Sequence, residues 1–383
     1  MRPAMRQPSA ISRIGSAHRA RRWTLLLVLL AFVLPANGQE APDVVLVVLD
    51  DLRAEAADSG FLGELALQGA RFDRARSAAA TTRASHASLL TGTHAGVHGM
   101  LGEPGEQGTA LQAELPVLPE LLAAAGYRTL GRSSAPGGLE ALGLRGFADY
   151  AAAEDPAALG AELAASLDGD QPTFAWLHAA ALRPVEESAA VLHARSMDSW
   201  LRAVLEPVLR TQASRPRALL ITSDHGLHLG EHGLTPATPS LFEPALAVPL
   251  VMLLPNAERV RVPRTVSGVD VAPTLLELAG IQAPDHLQGS SFLDDARGEL
   301  GHWGLVWSEI GTLENELVCM SWGPDKLLAN RITKSDAVLH DLSADPGEMV
   351  NGKATHPEKA VFLAEHMQAL EAWNEELRSR FGG

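Results

Sequence analysis

Three short stretches of this 383-residue chain bring together residue types that do chemistry. Asp50-Asp51 follows directly on the apolar run Asp43-Val-Val-Leu-Val-Val-Leu49, and two adjacent carboxylates repel one another unless a cation lies between them. Thr222-Ser-Asp224-His225-Gly226 follows a second apolar run and is itself followed by His228, Glu231 and His232, an oxygen-and-imidazole set suited to a metal or a phosphate-type ligand. In Thr81-Thr82-Arg-Ala-Ser85-His86-Ala-Ser-Leu-Leu-Thr-Gly92, hydroxyls precede a short apolar helix that stops at glycine. They therefore sit at a helix N-terminus, where unpaired N–H groups and the helix dipole favour an anion. Each stretch also has a plain structural reading: a solvated acid pair, a glycine-rich turn, and N-capping by Thr82 or Ser85.

The elements that must position these groups alternate. Asp43–Leu49 is a continuous β-branched run bounded by Pro42 and Asp50, the signature of a strand buried on both faces of a parallel sheet. Thr173–His178, Ala218–Thr222 and Val248–Leu254 are similar. Helical patterns lie between them: Pro116–Ala125 stopping at Gly126, Ala157–Leu167, a long one near Glu186–Arg210, and Val271–Ala279 stopping at Gly280. This alternation predicts a doubly wound α/β sheet, whose binding crevice is lined by the carboxyl ends of its strands, where Asp50 and Asp224 fall. Beyond residue 296 the texture changes to short strands at Leu305–Ser308, Glu316–Trp322, Lys326–Arg331 and Val338–Leu342, closed by a helix from Pro357 to about Arg380. We therefore expect a leader over 1–38, an α/β domain over 39–295, and an antiparallel sheet plus helix over 296–383.

Composition narrows the classes. With 46% hydrophobic and 20% charged residues the chain is a folded globular protein rather than a disordered polymer. Its formal charge is −15, but residues 1–38 hold six arginines and no acid, so the remainder carries −21 and repels nucleic acid and anionic lipid. Arg19, Arg21 and Arg22, the apolar run Trp23–Leu34 and Pro35-Ala-Asn-Gly38 read as a cleavable signal peptide. That run is shorter than the roughly 20 residues that span a bilayer, so export to the periplasm or beyond is expected, with no membrane span after cleavage. The single cysteine, Cys319, excludes an intrachain disulfide. All four lysines (Lys326, Lys334, Lys353, Lys359) come late, so no ammonium group precedes position 326.

Taken together and in this order, the three stretches resemble the sulfatase family of the alkaline phosphatase superfamily. That family has Asp-Asp after the first strand, a Cys/Ser-x-Pro-Ser-Arg-Ala-Ser-Leu-Leu-Thr-Gly signature, and a second metal motif of Asp-His/Asn-Gly. Also similar are His98-Gly99, Gly126-Tyr-Arg-Thr129, Leu229-Gly-Glu-His-Gly233, Val248-Pro-Leu250, Val269-Asp-Val-Ala-Pro-Thr274 and Leu339-His-Asp-Leu-Ser-Ala-Asp-Pro-Gly-Glu348. The resemblance implies an alkaline-phosphatase-like, mostly parallel sheet with a small C-terminal antiparallel subdomain. It implies one divalent cation held by Asp50, Asp51, Asp224 and His225, with Thr82 completing the shell. The oxygen-rich set suits calcium, with magnesium or manganese as alternatives.

Departures from the family pattern shape the expected mechanism. Thr82 stands where the family has the Cys or Ser that becomes formylglycine, and a threonine cannot yield that aldehyde. By resemblance to threonine-type branches, Thr82 would be a metal-activated nucleophile. His86 stands at the signature arginine, the family lysines are absent, and Trp176-Leu-His178 is followed by Arg183 where a distal histidine is usual. His178 is then the remaining candidate acid of that segment, a strand-end structural role being its alternative. His86, Arg132 and Arg183 would supply charge around the anion, and His228 and His232 are possible further ligands or acid–base groups. The expected activity is hydrolysis of a small-molecule or glycan ester of sulfate or phosphate. Two alternatives stand beside it: a catalytically silent module that binds anionic glycans or esters, and a phosphodiesterase or phosphotransferase.

Overall fold

The computed structural model describes residues 40–101, 110–135, 144–180, 187–236, 238–299, 304–311, 316–331 and 337–381. Its larger sheet has eight strands in the order β4-β3-β5-β1-β6-β7-β2-β8. They are β1 (Asp43–Leu49), β2 (Ala70–Arg76), β3 (Arg128–Ser133), β4 (Asp149–Ala152), β5 (Thr173–Ala179), β6 (Arg217–Ser223), β7 (Leu250–Leu253) and β8 (Val260–Ser267). β1 lies between β5 and β6 and is parallel to both. The helices are α1 (Gly60–Ala66), α2 (Thr82–Thr91), α3 (Ala95–His98), α4 (Leu118–Ala124), α5 (Pro156–Ser166), α6 (Glu187–Arg210), α7 (Glu243–Leu246), α8 (Val271–Leu278), α9 (Leu293–Ala296) and α10 (Pro357–Phe381).

Side-chain alternation along the central strands divides the core in two. Val44, Leu46 and Val48 of β1, Phe174 and Trp176 of β5 and Leu220 of β6 pack with Leu89 and Leu90 of α2 and with α4 and α8. Val45, Val47 and Leu49, with Ala175, Leu177, Leu219 and Ile221, pack on the opposite face with α1, α5 and α6. All seven residues of β1 are buried, as its unbroken apolar run requires.

The smaller sheet is antiparallel, in the order β12-β11-β10-β9, from β9 (Leu305–Gly311), β10 (Glu316–Trp322), β11 (Asp325–Asn330) and β12 (Val338–Asp341). Its apolar face, including Trp307, Val318, Met320, Leu327 and Leu339, packs on Ala360, Leu363 and Met367 of α10. An isolated bridge joins Glu309 to Ala79 just before α2, and the Glu309 carboxylate accepts from the Gly96 N–H at 2.7 Å.

The expected mostly parallel sheet and small antiparallel subdomain are both present, with one correction of direction. The Val248–Leu254 run forms β7, but β7 is antiparallel to β6 and to β2. The chain spends the β6–β7 connection on the carboxyl edge, with no long crossover helix to carry it back, and an antiparallel return needs none. The sequence reading also passed over β2, β4 and β8. β4 and β8 are sheet edges, where polar residues such as Arg261 and Arg264 and a proline, Pro263, are tolerated.

Candidate active site at the strand ends

Continuing the alternation past the ends of β1, β5 and β6 brings Asp50, His178 and Asp224 to the α2 side of the carboxyl edge. Val48 pairs with His178 and Leu49 with Ser223, so the three groups lie at one level. His178 Nε2 is 2.7 Å from Asp50 Oδ1, and its Nδ1 is 2.9 Å from Ser133 Oγ. The Asp51 N–H donates to Asp224 Oδ1 at 3.0 Å, and the His225 N–H donates to the same oxygen at 2.7 Å. Asp51 has a φ of +56°, a left-handed conformation that costs a non-glycine residue energy and is a common mark of functional sites.

The His225 ring bridges two of the acids. Its Nδ1 lies 2.7 Å from the Gly226 carbonyl oxygen and 3.3 Å from Asp51 Oδ1, while Nε2 lies 3.4 Å from Asp224 Oδ2. Because a carbonyl only accepts, Nδ1 carries a proton there. Nε2 faces Asp224 Oδ2, an oxygen that makes no hydrogen bond among the described residues.

α2 brings the third motif to the same place. Thr82, half-buried, opens the helix after Thr81 in extended geometry, and Gly92 ends it at φ +64°. The first turn is tied to the cluster through Ser85 Oγ, 2.9 Å from Ser77 Oγ, which donates at 2.5 Å to the Asp224 carbonyl oxygen. His86 lies four residues after Thr82 and so on the same helix face. Its ring sits 4.4 Å from that of His178 and 5.4 Å from that of Trp176. It is fully buried, and neither ring nitrogen has a hydrogen-bond partner among the described residues. Ligand-type atoms of Asp50, His86 and His178 all lie within 4.8 Å of one another.

Electrostatics follow from burial. Desolvation raises the Asp50 carboxyl above the ordinary range, although His178 opposes it. Burial pushes Asp224 the same way but is outweighed by His225 and the N–H groups of Asp51 and His225, so its pKa falls. Burial and the nearby His178 lower His86 well below an ordinary imidazole. The donor set fits a hard divalent cation: three buried carboxylates, with imidazoles as the only ion-pair partners of Asp50 and Asp224 among the described residues.

Several sequence expectations need correction. His86 is neutral and so lends no positive charge to an anion. Both nitrogens of His178 are engaged, leaving it to orient Asp50 rather than to protonate a leaving group. Arg132 points away: its guanidinium bonds Glu162 at 2.6 Å and Asp149 at 3.2 Å. The neighbouring Ser133 is the residue on the cluster side of β3, so strand alternation sends Arg132 to the opposite face. His228 is spent on Ser240 at 2.7 Å, and His232 stacks on Phe242 in a turn, so neither joins the cluster. Arg183 lies outside the described residues. Sequence reading missed His193 of α6, whose Nε2 donates to the Asp50 carbonyl oxygen at 2.8 Å; a lone histidine in a helical pattern gives no signal of this.

The sulfatase family profile matches residues 42–158, which carry Asp50, Asp51 and Thr82, and the profile of the N-sulphoglucosamine sulphohydrolase C-terminal region matches residues 230–304. These matches support the sulfatase family for this chain. Among curated relatives, the uncharacterized sulfatase YidJ of Escherichia coli is 31% identical over 35% of the chain and 27% of its own length. The delta 4,5-hexuronate-2-O-sulfatase of Bacteroides thetaiotaomicron is 27% identical over 48% of the chain and 40% of its own length. The chain thus spans less than half the length of either relative. Solved structures share the fold across most of the chain. A 2-O GAG sulfatase superposes with a TM-score of 0.73 at 18% identity, covering 88% of this chain and 93% of its own. The phosphonate monoester hydrolase of Agrobacterium radiobacter superposes with a TM-score of 0.71 at 18% identity, covering 87% and 96%.

Proposed function

We propose that this chain is a metal-dependent hydrolase of sulfate esters that uses Thr82 as its nucleophile. The observation that carries the reading is the convergence of Asp50, Asp51, Asp224 and His225 beside the first turn of α2, which opens at Thr82. A divalent cation, calcium by its oxygen-rich donors, would be held by these four residues and the Thr82 hydroxyl, and when bound would supply positive charge for the sulfuryl oxygens and acidify that hydroxyl.

The chain's own groups do the rest. The N–H groups opening α2 orient the sulfuryl oxygens. Thr82 Oγ attacks sulfur in line: the Oγ–S bond forms as the bond from sulfur to the alcohol oxygen breaks, and that oxygen leaves with the electron pair and takes from solvent a proton that balances the one Thr82 gives up. The hydroxyl proton passes to solvent, because burial keeps His86, on the Thr82 face of the helix, unprotonated. Water then attacks the threonine sulfate ester, releasing sulfate and restoring the hydroxyl. His178 and His193 position Asp50 through its side chain and its carbonyl. The leader-like residues 1–38 support export to the periplasm or beyond, and the change of texture near residue 296 supports separate α/β and C-terminal lobes. No helix among the described residues is long and apolar enough to cross a membrane.

A second reading, a silent module that binds anionic esters, is favoured by the diversion of Arg132 to Glu162 and Asp149. Assays of calcium-loaded protein on aryl sulfate, aryl phosphate and bis-aryl phosphate separate the two. Turnover of the aryl sulfate should fall at least about a thousandfold in Thr82→Ala. Unchanged turnover in that variant removes Thr82 from the mechanism, and no turnover by either protein with metal bound selects the silent module.

A further inference from the structure

A cavity of about 860 Å³ lies between the segment that follows β1 and helix α6. Asp51 forms part of its wall, so it abuts the acidic cluster. The rest is mainly apolar, with Leu49, Leu52, Leu62, Leu201 and Leu227 contributing. Its volume lies within the roughly 300–1,000 Å³ typical of small-molecule sites.

The cavity's place in the fold matters most. Leu49, Leu52, Leu62 and Leu201 belong to the core on the α1/α6 face of the sheet, whereas α2 packs on the other face through Leu89 and Leu90. An in-line displacement puts entering and leaving oxygens on opposite sides of the reacting atom. Thr82 lies on the α2 side and the cavity, which Asp51 borders, on the α1/α6 side, so an alcohol that departs opposite Thr82 has this cavity open to it.

Its charge is nearly balanced. Arg53 is held by Glu231 at 2.6 Å and Glu55 at 3.2 Å, and Asp198 accepts from the Leu62 N–H at 3.0 Å. Arg195 is the one lining cation with no acidic partner among the described residues. A sugar bearing several further sulfates or carboxylates would meet one uncommitted cation and a wall of leucines.

We propose that this cavity receives the alcohol part of the ester and selects an uncharged aryl or branched alkyl group over a polyanionic sugar. The proposal rests on the ester hydrolysis proposed above. Ala194 and Ala190, on the α6 wall, can be enlarged to fill the space without touching the cluster.

The test is a calorimetric titration of the full chain with 2-naphthol, the alcohol alone, beside KM measurements on 2-naphthyl sulfate and a disulfated disaccharide. Wild type and Thr82→Ala should bind 2-naphthol equally, at one site. Ala194→Trp and Ala190→Phe, each checked for folding by circular dichroism, should weaken binding at least tenfold and raise KM for 2-naphthyl sulfate in step. The disaccharide should be the poorer substrate. Equal 2-naphthol affinity in wild type and in whichever filled variant folds, or no binding to wild type, overturns the proposal. Binding that is lost on filling, with no turnover of either ester by any protein, upholds the cavity assignment and refutes the hydrolase reading instead.

Discussion

The molecule buries charge in two places and treats it differently. In the brace between the small sheet and α7, the fully buried Lys326 ammonium lies 2.9 Å from Glu243 and 2.8 Å from Glu348, and Arg76 Nε lies 2.9 Å from Glu243. Two cations meet two anions, and although burial opposes ionisation, Arg76 and Lys326 hold Glu243 down to about 2. At the strand ends the ion-pair partners of Asp50 and Asp224 among the described residues are imidazoles alone, and the Asp50 carboxyl is raised by its burial. A buried cluster that neutralises itself is structural, whereas excess negative charge in the other is what the proposed divalent cation would offset. The two are connected, because α7 gives its Ala245 carbonyl to the Gly226 N–H, directly after the Asp224-His225 pair.

Breaking the balanced cluster should have the larger effect. Lys326→Met leaves Glu243 and Glu348 without their shared ammonium and should lower stability by about 3–5 kcal/mol, read as a fall in the urea midpoint. A loss below about 1 kcal/mol would mean that the brace is not needed to offset those charges.

The unbalanced cluster should respond in the opposite sense. Asp50→Asn removes a carboxylate whose ionisation burial disfavours, while its amide oxygen can still accept from His178. In chelator-treated protein the variant should therefore be within about 1 kcal/mol of wild type, or more stable. A carboxyl whose folded pKa is raised stabilises the fold fully below its unfolded pKa, and that contribution is lost as pH rises through the folded value. Metal-free wild type should accordingly lose stability as pH climbs out of the ordinary carboxylate range, and Asp50→Asn should lose less. Identical pH profiles of urea unfolding for the two proteins would contradict this.

Legibility in the sequence followed burial. β1, β5 and β6 were readable because they are covered on both faces and so carry continuous apolar runs; β10 matches its expected bounds of Glu316–Trp322. β4 and β8 were not, because edge strands keep polar residues, and the direction of β7 depends on the path of its connection rather than on its own residues. At the site, Asp50, Asp51, Thr82, Asp224 and His225 stood in recognisable order. The orientation of Arg132 was hidden because it depends on the phase of β3, and His193 was hidden because its partner is a main-chain carbonyl contributed from far away in the chain. Lys326, the first of the late lysines, is spent on the carboxylates of the brace rather than on the strand-end cluster.

The central claim is that the strand-end cluster holds a divalent cation, and a calcium titration of chelator-stripped protein tests it most directly. Isothermal calorimetry should give one site in wild type, and calcium at a hundred times its Kd should stabilise the fold by about 2.7 kcal/mol. Asp224→Asn should weaken binding at least tenfold while Lys326→Met, where folded, keeps its affinity. The account is contradicted if wild type binds neither calcium, magnesium nor manganese, or if Asp224→Asn binds as tightly as wild type.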